Sequence, residues 1–259
     1  MEAGDDAQTG MTLATLVDDS AMKATLYFSY AYEDEMKRGF ITMQGGPRIG
    51  VAGQVVMDGG KVLSLSNIYF LNIRVAREKR GCAKDIIPYL IHRNNIYNTL
   101  FVSPPGIGRT TYLRDAIRIL SNGSDRLHGM KISIIDERSE IAACRQGIPQ
   151  NDIGIRSDVL DGCLKSFGML LMLRSMAPQI IAVDEIGSRE DCRAMEQAIY
   201  SGSRIIGTVH AYDMKELSRK KYLKEMLEQQ MFGRIVLLEK AENGRRRFHI
   251  YDENLEKIC

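Results

Sequence analysis

At 259 residues, with 44% apolar and 26% charged side chains, the chain has room for one core of ordinary size and a small second domain. A net charge of +2 gives no global signal for nucleic acid or an anionic membrane, so such roles must rest on local patches. The five cysteines (Cys82, Cys144, Cys163, Cys192, Cys259) form no CxxC pair, which argues against a disulfide framework or zinc site and points to a reducing, cytoplasmic setting.

Residues 1–20 are acidic and polar, so they predict a flexible N-terminus and no secretory leader. Ala21–Lys37, mixed aromatic and charged, predicts a helix. Phe40–Met43, Arg48–Met57 and Lys61–Val75 predict strands, with turns at Gly45-Gly46 and Asp58-Gly59-Gly60. Residues 21–84 therefore read as a small α+β domain, closed by the basic linker Arg74–Lys84. Residues 85–259 read as a second domain, beginning with a helix over Asp85–Asn94.

Strands and helices then alternate. Strands are expected at Thr99–Val102, Lys131–Asp136, Gln179–Asp184 and Arg204–Val209. Helices are expected at Thr110–Leu120, Ser157–Leu173, Arg189–Tyr200 and Lys215–Gln230. A terminal hairpin joins Arg234–Glu239 to Arg247–Tyr251 about Asn243-Gly244. This order predicts an α/β domain with a mostly parallel sheet covered by helices, its ligand at the carboxyl ends of the strands. The longest apolar run, Met169–Leu173, is too short to span a bilayer, so membrane association is expected only through a partner.

Between the first core strand and its helix stands Ser103-Pro104-Pro105-Gly106-Ile107-Gly108-Arg109-Thr110-Thr111. It resembles a phosphate-binding loop in which Ser103 replaces the first glycine and Arg109 the lysine. Such a loop converges backbone N–H groups on phosphate at a helix N-terminus. Gly106 and Gly108 let the backbone approach closely, and Pro104-Pro105 stiffen the entry. Thr110 keeps the hydroxyl that binds Mg²⁺ between phosphates. Arginine keeps the charge of the lysine but is longer, planar and always protonated. The bland alternative is an ordinary turn before a helix.

Ile180–Val183 ends in Asp184-Glu185, which predicts Asp184 as a Mg²⁺ ligand and Glu185 as the base for an attacking water. The alternative is a solvated acidic turn. The strand ending at Asp136 delivers Glu137 and Glu140, either of which is a candidate to orient water or metal; the alternative is a solvated helix start. His210 ends a further strand, where it is a candidate γ-phosphate sensor or partner of Glu185; the alternative is a satisfied surface or core histidine. Arg156 and Arg174 are candidates for phosphate contact across a subunit boundary, or equally for structural ion pairs.

The loop, Ile-Asp-Glu-Arg-Ser-Glu, Leu-Arg-Ser-Met-Ala-Pro-Gln-Ile-Ile-Ala-Val-Asp-Glu-Ile-Gly and Gly-Thr-Val-His-Ala occur in this order. The set resembles the Walker A loop, acidic box, Walker B strand and histidine box of the secretion-ATPase superfamily. Longer stretches, from Tyr30–Glu35 and Gly39–Gly50 through Asn72–Glu78 to Gly154–Asp161, resemble the stage III sporulation protein AA family of endospore-forming Firmicutes. The resemblance covers roughly residues 25–240. It implies a RecA-like P-loop NTPase core and a cytoplasmic mother-cell ATPase, binding ATP and Mg²⁺ and forming a homo-oligomer, expected to be a hexamer. Its partners would be other proteins of the sporulation complex, some membrane-embedded. The resemblance implies a further helical segment at the start of family members, expected to be missing or shortened in this sequence.

Two other functions compete with a motor. One is a nucleotide-binding ring scaffold that does not hydrolyse, motivated by Arg109. The other is a single-strand nucleic-acid binder, motivated by Arg77–Lys84 and Arg245–Arg247. Neither basic run interleaves aromatics for base stacking, so solvated basic faces are the better reading and nucleic acid is not expected.

Overall fold

The computed structural model describes residues 11–13, 39–74, 78–124, 127–241 and 244–259. The helix expected over residues 21–37 lies outside them. Contacts divide the chain into two compact units: residues 1–77 with 143–150, and residues 78–142 with 151–259. Segment 143–150, read from the sequence as part of the second domain, thus belongs with the first unit. There its Gln150 Oε1 accepts the Gly45 N–H at 3.0 Å.

The first unit is a four-stranded antiparallel sheet of β1 (Met11–Leu13), β2 (Phe40–Thr42), β3 (Arg48–Asp58) and β4 (Lys61–Arg74), in the order β1-β4-β3-β2. The Gly45-Gly46 and Asp58-Gly59-Gly60 turns fall between the strands as expected. Met11–Leu13, in the stretch expected to be flexible, instead pairs with Leu71–Ile73.

The second unit opens with α1 (Ile87–Leu90), a single turn. A hairpin, β5 (Ile91–His92) with β6 (Asn95–Ile96), follows. The longer helix expected to Asn94 ends at Leu90, because Ile91 is already extended (ψ 131°) and Arg93 then turns the chain at φ 54°. The main sheet is built from β7 (Thr99–Ser103), β8 (Ile132–Asp136), β9 (Ser157–Asp161), β10 (Ile180–Val183), β11 (Arg204–His210), β12 (Arg234–Lys240) and β13 (Arg246–Tyr251). Its order is β13-β12-β7-β11-β10-β8-β9, and every neighbouring pair is parallel except β12 with β13. The mixed α/β fold with a mostly parallel sheet is thus the one the alternation predicts.

The central strands β7, β8 and β10 are buried along their whole length, as strands covered on both faces must be. Period-two alternation sends Leu100, Val102, Ile181, Val183, Ile205 and Val209 into one cluster. Helices α3 (Lys165–Met176), α4 (Arg189–Tyr200), α5 (Met214–Arg219) and α6 (Lys221–Glu228) add Met169, Met195, Leu217 and Met226 to it. Helix α2 (Arg109–Asn122) packs on β7 and β11 with residues outside that cluster. At Gly168 a Cβ would come within 2.7 Å of Ile135 Cγ2, so glycine lets α3 lie close on β8.

Two expected helices are corrected. Ser157–Leu173 divides at Gly162 (φ 67°): Ser157–Asp161 is the edge strand β9, parallel to β8, and the helix begins at Lys165. Lys215–Gln230 divides at Lys220, whose ψ of 109° leaves the helical region.

Candidate active site

Strand β7 ends at the buried Ser103, whose hydroxyl donates to the Pro104 carbonyl at 2.8 Å and ties down the loop entry. Pro105 and Gly106 are exposed, whereas Ile107, Gly108, Thr110 and Thr111 are half-buried. Gly106 (φ 80°) and Gly108 (φ 96°) are both left-handed, the conformation that favours glycine. Gly108 is the N-cap of α2, and no side chain caps that end. The first-turn N–H groups are thus left to an external acceptor.

Arg109 turns away from the loop into the sheet. It is 8% exposed; its Nε donates to Thr208 Oγ1 at 3.2 Å, and its Nη1 donates to His210 Nδ1. Asp184 Oδ1 lies 3.9 Å from Arg109 Nε. Burial pushes the Arg109 pKa down, opposed by the charges of Asp184 and Glu185. Thr110 Oγ1 donates to Asp184 Oδ2 at 2.8 Å, which joins the loop to the acidic strand end.

Sheet order explains how these groups meet. Strand β11 lies between β7 and β10, so Thr208 and His210 stand between the loop and Asp184-Glu185. The fully buried Thr208 hydroxyl donates to Asp184 Oδ1 and accepts both Arg109 Nε and the Glu185 N–H, the latter at 2.8 Å. Its donor and both acceptor sites are thereby used. Glu185 is left-handed (φ 54°), a conformation costing on the order of 1 kcal/mol in a residue with a Cβ. That bend aims its carboxylate at Arg138 Nη1, 2.7 Å away, with His210 Nε2 4.0 Å from the other oxygen. Since His210 Nδ1 accepts from Arg109, the ring is neutral with its proton on Nε2. Burial pushes its pKa down, Arg109's charge adds to this, and Glu185 opposes it.

Glu137, Glu140, Asp184 and Glu185 line one small cleft with Asp136, Arg138 and Lys165. Lys165 Nζ donates to Glu137. The Glu137–Glu140 segment is a turn and not the helix start of the alternative reading. Asp136 organises it: the carboxylate is 1% exposed and accepts the N–H groups of Glu140, Ile141 and Ala142 at 2.7, 2.9 and 2.8 Å. Burial nevertheless lifts its pKa to about 6.

Arg156 and Arg174 are not brought to this cleft. Arg156 Nη1 donates to the carbonyls of Ser121 and Asn122 at 3.1 and 3.3 Å, at the far end of α2. Arg174 is exposed and lines a separate groove with Leu170, Leu173, Gln197, Tyr200 and Ser201. Sequence reasoning missed Thr208 and Asp136. Each had a signal, a hydroxyl two residues before His210 and a carboxylate closing an apolar strand.

The model of the family Sporulation stage III, protein AA matches residues 7–258. The chain belongs to the stage III sporulation protein AA family. A family relative, Stage III sporulation protein AA of Bacillus subtilis (strain 168), is 42% identical over 228 residues, covering 88% of this chain and 74% of its own. The uncharacterized protein ycf45 of Cyanidium caldarium is 32% identical over 155 residues, covering 59% of this chain and 44% of its own. Among solved structures the chain is similar to the Legionella pneumophila ATPase DotB, with TM-score 0.59 and 16% identity, covering 88% of this chain and 67% of that one. It is also similar to the pilus retraction motor PilT with bound ADP, with TM-score 0.57 and 16% identity, covering 88% and 68%. At these identities the likeness concerns the fold alone: a RecA-like core with a small N-terminal β domain.

Proposed function

We propose that the chain binds ATP with Mg²⁺ at the loop between β7 and α2 and hydrolyses it in a homo-oligomer. On this reading it works in the mother-cell cytoplasm with other, partly membrane-embedded proteins of the stage III sporulation complex, powering assembly or transport towards the forespore. The observation that carries the reading is the join of an uncapped, double-glycine helix start to an acidic strand end through Thr110 and Asp184. Ser103 to Thr111 would wrap the phosphates, with the N–H groups from Gly106 onwards as donors. Thr110 and Asp184 suit Mg²⁺, which takes one or two protein oxygens and completes its shell with phosphate and water. When bound, the ion would neutralise charge on the β- and γ-phosphates.

Glu185 is the base. Its carboxylate is fixed by Arg138 and by the Thr208 bond to its own N–H, and it takes the proton of the attacking water. His210, neutral and bonded to Arg109, links that carboxylate to the loop. Glu140 lines the same cleft and orients the water. Arg174, exposed on α3, is the arginine available to a neighbouring subunit, whereas Arg156 serves its own helix.

A second reading, a ring scaffold that holds nucleotide without turnover, is favoured by one observation: Arg109 is engaged by Thr208 and His210 and not by the loop. Steady-state ATP hydrolysis with Mg²⁺, by the chain and by Glu185→Gln and Arg109→Lys, separates the two. Turnover that falls by roughly 10²-fold or more in Glu185→Gln supports the motor. Turnover that emerges only in Arg109→Lys supports the scaffold.

A further inference from the structure

Arg246, the first residue of β13, lies over the phosphate loop. A Cβ placed on Gly108 would stand 3.2 Å from Arg246 Cζ, 3.2 Å from Nη2 and 3.3 Å from Nη1. Near-equal distances to the carbon and both terminal nitrogens mean that the guanidinium presents its flat face to Gly108. An edge-on approach would hold the carbon clearly farther away than the nitrogens. Its N–H donors, which lie in the guanidinium plane, are therefore directed sideways across the loop and not into the Gly108 backbone.

Three further observations bear on its role. Strand alternation separates it from its neighbours: Arg245 and Arg247 are exposed, and Arg246 alone of the basic run is half-buried. Among the described residues no carboxylate pairs with its guanidinium, whereas most arginines around the cleft have acceptors, as Arg138 has Glu185 and Arg109 has Thr208. Its charge is felt in the first turn of α2: burial raises the pKa of Tyr112, and Arg246 opposes the rise. A positive charge from the terminal hairpin thus lies against Gly108, while the residue in the lysine position is turned into the sheet.

We propose that Arg246 is a phosphate-binding residue supplied within the same chain, its planar fork gripping non-bridging oxygens of the nucleotide's diphosphate as they seat on the Gly106–Thr110 N–H groups. Guanidinium suits this task because its donors match two oxygens at once. The contact also gives Gly108 a second reason to be glycine, since a side chain there would displace the arginine. The inference rests on the proposed binding of nucleotide at the loop.

The test is equilibrium titration of the full chain with ADP and with pyrophosphate, comparing Arg246→Ala, Arg246→Gln and the starting chain, with melting curves to show that each is folded. Glutamine keeps most of the length over Gly108 and removes the charge and the fork. The expected result is a loss of roughly tenfold or more in affinity for both ligands in both variants. ADP and pyrophosphate affinities unchanged in a folded variant would overturn the assignment. So would a loss for ADP alone, which would place Arg246 on the nucleoside. If the starting chain itself fails to bind ADP, the nucleotide reading falls, and this inference with it.

Discussion

The two ends of helix α2 treat the same chemical problem in opposite ways. A helix leaves unpaired carbonyls at its C-terminus and unpaired N–H groups at its N-terminus. At the C-terminal end the chain closes the account internally. Gly123 N–H bonds Ile119 O at 2.9 Å, Met130 N–H bonds Leu120 O at 2.9 Å, and Arg156 covers Ser121 and Asn122. At the N-terminal end no side chain caps Gly108, the residue that follows folds back into the sheet, and a guanidinium lies over the backbone. One end is finished by the fold, and the other is left without a side-chain cap. The difference separates a residue type from its role: Arg156 and Arg246 are both arginines at an end of α2, yet one serves carbonyls of its own chain and the other faces the loop.

The comparison is broken most severely at Gly108. Gly108→Ala places a Cβ at φ 96° and against Arg246. Affinity for ADP is expected to fall by roughly tenfold or more, with a stability cost of about 1 kcal/mol from the strained backbone. Titration and urea unfolding of the same sample would separate the two effects.

A smaller effect is expected at Asp136, which shapes the acidic turn facing the loop. Asp136→Asn sets an amide against three N–H groups and should cost about 1–3 kcal/mol at its most harmful. The sign with pH follows from the raised pKa. The folded chain holds the Asp136 proton more tightly than the unfolded chain does. The part of aspartate's advantage over asparagine that comes from holding this proton is therefore fully present below pH 3.8 and is lost as pH rises through about 6. Urea unfolding of both proteins across that range would show the gap narrowing; a gap that widens with pH would refute the assignment.

The smallest effect sharpens the comparison from the other side. Arg156→Ala removes an exposed cation from the last carbonyls of α2 and should cost about 0.5–1 kcal/mol of stability while leaving ADP affinity unchanged. A loss of ADP affinity would return Arg156 to the phosphate role that its sequence position suggested.

What the sequence made legible is what is local along the chain. The loop from Ser103 to Thr111 and the apolar strand ending in Asp184-Glu185 each carry their chemistry in consecutive residues, and the alternation of elements was enough for the mostly parallel sheet. What stayed hidden depends on sheet order. Thr208 is decisive only because β11 lies between β7 and β10, and nothing in Gly-Thr-Val-His states that order. Arg246 looked like one of three solvated arginines because the hairpin that folds it back towards the loop pairs β13 with β12, two strands from β7. Ser157–Asp161 reads as helix because it runs straight into a helical stretch, and the break at Gly162 depends on a left-handed backbone that the pattern does not announce. The break at Lys220 has neither glycine nor proline to announce it.

Nucleotide binding at the open end of α2 is tested most directly by amide hydrogen exchange along the helix with and without ADP and Mg²⁺. Nucleotide is expected to slow exchange at Gly106 to Thr111 and to leave Ile119 to Gly123, already closed by the fold, unchanged. Protection confined to the C-terminal end, or no change at either end at saturating nucleotide, would contradict it.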